Sequence, residues 1–94
     1  MNLKLLLTID LPGVSDEKRK AFYKSLEDAN LKKVEGLTTT WQAHFSADFL
    51  VENAQRRIVE ILKSAKRTCK ITTVIYAFLV GEPEVQKGQL TVLD

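Results

Sequence analysis

Apolar and polar positions alternate from the start of the chain. Leu3, Leu5, Leu7 and Ile9 fall on one side of an extended segment, and Lys4, Leu6, Thr8 and Asp10 on the other. The pattern predicts a strand over residues 2–10 whose apolar face meets helices. Pro12-Gly13 breaks it. The period then changes. Ser15 is placed to cap a helix, Asp16 and Glu17 stand in its first turn, and Phe22, Leu26 and Ala29 recur on one stripe. This predicts a helix over 16–29 that stops at Asn30.

Between that stripe and the next there is room only for a tight pair of strands. Residues 31–35 supply one, Gly36 a turn, and the β-branched and aromatic run 38–45 the other. In the second strand Trp41, Ala43 and Phe45 share a face, opposite Thr40, Gln42 and His44. A second helix is predicted over 48–67, capped by Ser46 or Asp48, because Leu50, Ala54, Ile58, Ile61, Leu62 and Ala65 keep the helical period. Residues 71–80 are apolar or threonine on both faces, as in a strand covered on both sides. Gly81-Glu82-Pro83 ends this run, and residues 89–93 read as a short fifth strand.

The order strand, helix, strand, strand, helix, strand is the split βαβ plan. The expected fold class is therefore α+β and ferredoxin-like, βαββαβ, with two helices on one face of an antiparallel sheet and a short extra C-terminal strand. Residues 1–94 are expected to form a single domain. Helices on one face leave the other bare. With Tyr76, Phe78 and Val80 expected on that second face, the chain is predicted to pair with a copy of itself through its sheet face or a sheet edge. The fifth strand could complete a partner's sheet.

Composition adds limits. Fourteen Lys and Arg against twelve Asp and Glu leave a net charge of +2, too small by itself to argue for nucleic acid. The charge is uneven, however: residues 56–70 hold six cations and one acid, Glu60. The single cysteine, Cys69, excludes an intrachain disulfide and a cysteine-based metal site. The initial Leu-rich stretch is too short for a secretory signal and is interrupted by Asp10, and no run approaches membrane-spanning length. A cytoplasmic protein is expected, with no membrane partner.

Asp10 carries the main candidate chemistry. A carboxylate closing an apolar strand is a hard oxygen ligand suited to Mg²⁺ or Mn²⁺, and a nearby two-fold axis would supply a second one. It could equally cap the following loop. His44 is a candidate general base, or an exposed strand residue. Lys63, Lys66, Arg67 and Lys70, on adjacent turns at the end of the second helix, could follow a nucleic-acid backbone or simply complement the helix dipole. Trp41 and Phe45 could stack bases, but their shared face reads more simply as core.

Certain of these residues carry a family resemblance. Ile9-Asp10-Leu11 at the first strand end, Ser15 to Lys20 opening the first helix, Leu26 with Asn30-Leu31, Thr39-Thr40-Trp41 and the terminal 89–93 stretch resemble the small CRISPR-associated endoribonucleases and virulence-associated protein D. The resemblance implies a ferredoxin-like homodimer in which the strand-end aspartate of both chains, here Asp10, serves metal-dependent cleavage of RNA. Two departures stand out: Ile9 occupies a position that commonly holds tyrosine, and a threonine run replaces the hairpin serine. Members that have lost catalysis act as scaffolds or antitoxin-like regulators. The alternative reading is thus a non-catalytic protein-interaction module, an antitoxin, regulator or inhibitor, using the open sheet face or an edge strand.

Overall fold

The computed structural model describes residues 2–46 and 48–91. Its elements run β1 (Leu3–Asp10), α1 (Asp16–Asp28), β2 (Lys32–Lys33), β3 (Thr40–Phe45), α2 (Val51–Thr68) and β4 (Ile75–Gly81). The strands form one sheet in the order β2-β3-β1-β4, with every adjacent pair antiparallel. This is the ferredoxin-like plan expected from the sequence.

Register determines what each face carries. On β1, Leu3, Leu5, Leu7 and Ile9 are buried beneath the helices. Trp41, Ala43 and Phe45 of β3 stand opposite Leu7, Leu5 and Leu3. Tyr76, Phe78 and Val80 of β4 stand opposite Ile9, Leu7 and Leu5. These last three therefore belong to the helix side, and Phe78 and Val80 pack against the core. The expectation that they lie on the uncovered face is corrected: Ile75, Ala77 and Leu79 do. Both residue sets of β4 are apolar, so alternation defines the two sets without saying which of them meets the helices.

Trp41, Phe22, Leu5, Leu7, Leu26 and Ile58 are fully buried at the centre of the core. Tyr23 packs against the Trp41 ring at 5.3 Å, and the Lys33 ammonium lies 4.6 Å from the Tyr23 ring and 5.4 Å from that of Trp41. A short edge-strand lysine thus closes the outer side of the core by a cation–π contact.

The helix ends follow from local chemistry. Ser15 caps α1, its Oγ accepting the Lys18 backbone N–H at 3.3 Å. Helix α2 begins three residues later than predicted. Its N-cap position is Leu50, which has no side-chain cap, while the Ser46 carbonyl accepts the Phe49 N–H in a preceding turn. Both helices close in the same way. Asn30 and Lys70 adopt left-handed φ values of 70° and 55°, and their N–H groups bond to Glu27 and Arg67. The next N–H groups, of Leu31 and Ile71, reach back to Leu26 and Lys66. These are Schellman closures, each completed by a buried apolar residue just past the turn, Leu31 and Ile71. Ile71 is consequently a helix-stop contact, and β4 starts only at Ile75. Likewise β2 shrinks to two residues, with Leu31 used by the first closure and Val34 opening the next turn, where its carbonyl accepts the Leu37 N–H.

The predicted fifth strand is absent over Gln89–Thr91, and Val92 and Leu93 lie outside the described residues. Residues 82–91 instead run across the open face of the sheet and form no strand. Lys4 Nζ donates to the Glu82 carbonyl at 2.9 Å and pairs with Glu84 at 3.3 Å, and Lys87 pairs with Glu35 at 3.1 Å. Beneath this segment lies a groove of about 680 Å³ bordered by Leu6, Leu37, Thr40 and Val85. Among the described residues no element covers the β4 side of the open face, where Ile75 and Leu79 are exposed.

Candidate functional site

Asp10 projects from the last residue of β1 onto the open face, in register with Ile75. It is exposed and makes no hydrogen bond or ion pair among the described residues, so it does not cap the Pro12-Gly13 turn. Around it, Thr8, Thr39, Ile75 and Ala77 border a shallow depression of about 290 Å³. Carboxylate and hydroxyl oxygens are the donor type that Mg²⁺ or Mn²⁺ prefers. The number of donors is too small, however. Among the described residues no group of three His, Cys, Asp or Glu side chains comes together. Of the described residues that border this depression, Asp10 alone carries a carboxylate.

His44 is on the same face but at the far end. It pairs in register with Lys4, six residues before Asp10 on the central strand, a separation of about 20 Å. Its Nε2 stands 4.0 Å from the Glu84 carboxylate, which also holds Lys4, and its side chain is well exposed. The two candidate catalytic side chains are therefore not assembled into one centre within a chain, and His44 instead stands beside Glu84 of the C-terminal segment. Sequence parity places both residues on one face correctly. Their spacing along the sheet depends on the β1–β3 register, which periodicity does not contain.

Lys63, Lys66, Arg67 and Lys70 do come together. They border a depression of about 330 Å³ at the end of α2, with Ile71 at its floor. Their mean direction is roughly 140° from that of the buried stripe Ala54, Ile58, Leu62 and Ala65, so the cluster looks away from the sheet. Lys18 adds a fifth cation alongside, donating to the Lys70 carbonyl at 3.0 Å. None of these four cations has an acidic partner among the described residues, whereas Lys4, Arg19, Lys24 and Lys87 each do. In the Lys24–Asp28 pair the hydrogen bond that the ammonium donates to the Asp28 carboxylate raises the lysine pKa. The helix layer thus separates the basic cluster from Asp10, on opposite surfaces of the same end of the molecule.

Trp41 is core, as its shared face with Ala43 implies, and cannot stack a base. The Cys69 thiol lies 3.9 Å from the Ser25 hydroxyl in the helix layer. Sequence reasoning expected an apolar uncovered face but gave it the wrong residues of β4: the exposed pair is Ile75 and Leu79, of which Leu79 is 73% exposed. The signal of that face was present in the doubly apolar run of β4.

No family model matches the chain, and no curated protein matches it. Among solved structures it is similar to protein SP2199 from Streptococcus pneumoniae, at 15% identity with a TM-score of 0.53, over 90% of each chain. At that identity the likeness carries the fold alone. Among the described residues no helix is long and apolar enough to cross a membrane.

Proposed function

We propose that this protein acts on nucleic acid, with the outer face of α2 taking up the phosphate backbone. The observation that carries this reading is the cluster of Lys63, Lys66, Arg67 and Lys70 around one depression without an acidic partner among the described residues. Like charges three and four residues apart cost roughly 0.2–0.5 kcal/mol per pair in a helix. The helix dipole offsets part of that cost near Arg67 and Lys70, but less for Lys63, a full turn further in. A run of phosphates would offset all of it.

RNA cleavage of the kind implied by the endoribonuclease resemblance needs more than one chain provides. Magnesium or manganese, held by Asp10 of two protomers, would polarise the scissile phosphate and activate water. Asp10 contributes a solvent-exposed carboxylate free of internal bonds; a second copy must contribute the other.

The test is fluorescence anisotropy with labelled single-stranded RNA across a salt series. Binding should weaken linearly in log salt, and each of Lys66→Ala and Arg67→Ala should flatten the slope by about 0.7 if that side chain meets a phosphate. Unchanged slopes would remove the basic cluster from the site. Incubation with Mg²⁺ or Mn²⁺, comparing wild type with Asp10→Ala, tests cleavage separately: equal activity excludes the Asp10 role.

A second reading, a protein-interaction module, is favoured by the exposure of Ile75 and Leu79 on the β4 side of the open face. Absence of any RNA binding at low salt would leave this reading standing.

A further inference from the structure

The two edges of the sheet are built differently. At one edge β2 has two residues, both lysine, with Lys33 drawn inward over Tyr23 and Trp41. Shortness and charge are devices that prevent an edge from pairing. At the other edge β4 has seven residues, Ile75-Tyr76-Ala77-Phe78-Leu79-Val80-Gly81, with no charge, no proline and no interrupting bulge in its pairing with β1. Ile75, Tyr76 and Leu79 are exposed large apolar side chains on it. Nothing in this strand disfavours a further strand.

We infer that β4 pairs antiparallel with β4 of a second copy of this chain, across a two-fold axis at Phe78, to make one eight-stranded sheet. The strand is complementary to itself in this register. Ile75 falls opposite Gly81 of the partner subunit, and Ala77 opposite the partner's Leu79, so each large side chain on the open face meets a small one. On the helix side Tyr76 meets the partner's Val80, and the two Phe78 residues meet at the axis. Because the strand is uncharged, two copies bring no like charges opposite one another, a term that otherwise disfavours homotypic pairing. A second copy is thus the occupant that the edge itself specifies.

Two consequences follow from the geometry. The axis is perpendicular to the sheet, so both helix layers lie on one side, and the two basic clusters of α2 are presented on the same surface of the dimer. The Asp10 carboxylates lie on the opposite surface. Asp10 is in register with Ile75, three residues from the axis, so with three strand spacings between them the two carboxylates stand about 25 Å apart. This dimer doubles the nucleic-acid surface without pairing Asp10, so the Asp10-paired cleavage considered above would need a different association of two copies; the inference does not depend on the nucleic-acid reading.

The experiment uses the full chain without nucleic acid. Light scattering after size exclusion, at protein concentrations up to about 100 µM, should give twice the chain mass, and Leu79→Lys should give a monomer with unchanged far-ultraviolet circular dichroism. Edge and face pairing are separated by oxidative cross-linking in a Cys69→Ser background. Ala77→Cys with Leu79→Cys should form reciprocal interchain disulfides, and Leu6→Cys, in the central strand, should not. A monomeric wild type, a dimer unaffected by Leu79→Lys, or cross-linking through Leu6→Cys in place of the edge pair would each overturn the inference. Loss of RNA binding with the dimer intact would count only against the proposed function.

Discussion

The two faces of the sheet use the same strands to opposite ends. On the helix side, Leu5, Leu7 and Trp41 are wholly buried and joined by Phe22, Leu26 and Ile58 from the helices. On the open side, Leu6 and Leu79, one residue away along the same strands, are exposed, and Leu79 is 73% accessible. Neighbouring leucines differ because one face has a helix layer, whereas on the other the described part of the C-terminal segment crosses the near end of β1 and β3. Apolar character thus means stability on one face and availability for contact on the other. An argument from hydrophobicity alone would have assigned both to a core.

Substitutions at matched positions test that contrast. The largest effect is expected for Trp41→Ala, about 3–5 kcal/mol, a large share of the roughly 5–14 kcal/mol that holds a domain of this size folded. Urea denaturation followed by circular dichroism measures it. Leu7→Ala should cost about 2–5 kcal/mol in the same assay. If either cost less than 1 kcal/mol, the closed face would not be the core.

Smaller effects come from the helices that close that face. Ser15→Ala removes the α1 cap and should cost about 1 kcal/mol, while Leu50→Asp gives α2 the cap it lacks and should gain a similar amount. Opposite shifts in thermal midpoint would sharpen the picture; shifts of the same sign would break it. Lys70→Gly should stabilise by roughly 0.5 kcal/mol, since its φ of 55° costs a side-chain-bearing residue about 1–2 kcal/mol and glycine returns part of that as chain entropy. The same substitution removes one cation from the basic cluster, so its RNA salt slope should flatten as stability rises. The smallest effect belongs to the open face: Leu79→Ser should change the midpoint of the dilute chain by no more than about 0.5 kcal/mol.

Much of the fold was legible in the chain. The alternation in β1, the Ser15 cap, the Asn30 stop and the α2 stripe are local signals, and each produced its element. The errors have a shared cause. Ile71 looked like the start of a strand because a buried isoleucine after a helix and the first residue of a buried strand read alike. Tyr76, Phe78 and Val80 were placed on the wrong face because both sets in β4 are apolar. Gln89 to Thr91 has strand composition but meets no strand edge. As for the site, four cations at helical spacing predicted their own cluster, because a helix fixes neighbours three and four residues apart. Asp10 and His44 could not be judged together, since their distance depends on which β3 residue faces which β1 residue.

The sequence by itself determined periodicity, caps and stops, and through them the element order and the expectation of helices on one face of a sheet. These are short-range matters, decided by backbone hydrogen bonding and side-chain shape within a turn or two. Only the tertiary structure decided which face of β4 was covered, that Asp10 and His44 stand about 20 Å apart, and that one sheet edge is blunted by lysines while the other is open. Those depend on strand register and layer packing, where one residue of slip exchanges the two faces, and a local pattern of two equally apolar sets carries no information about which exchange is made.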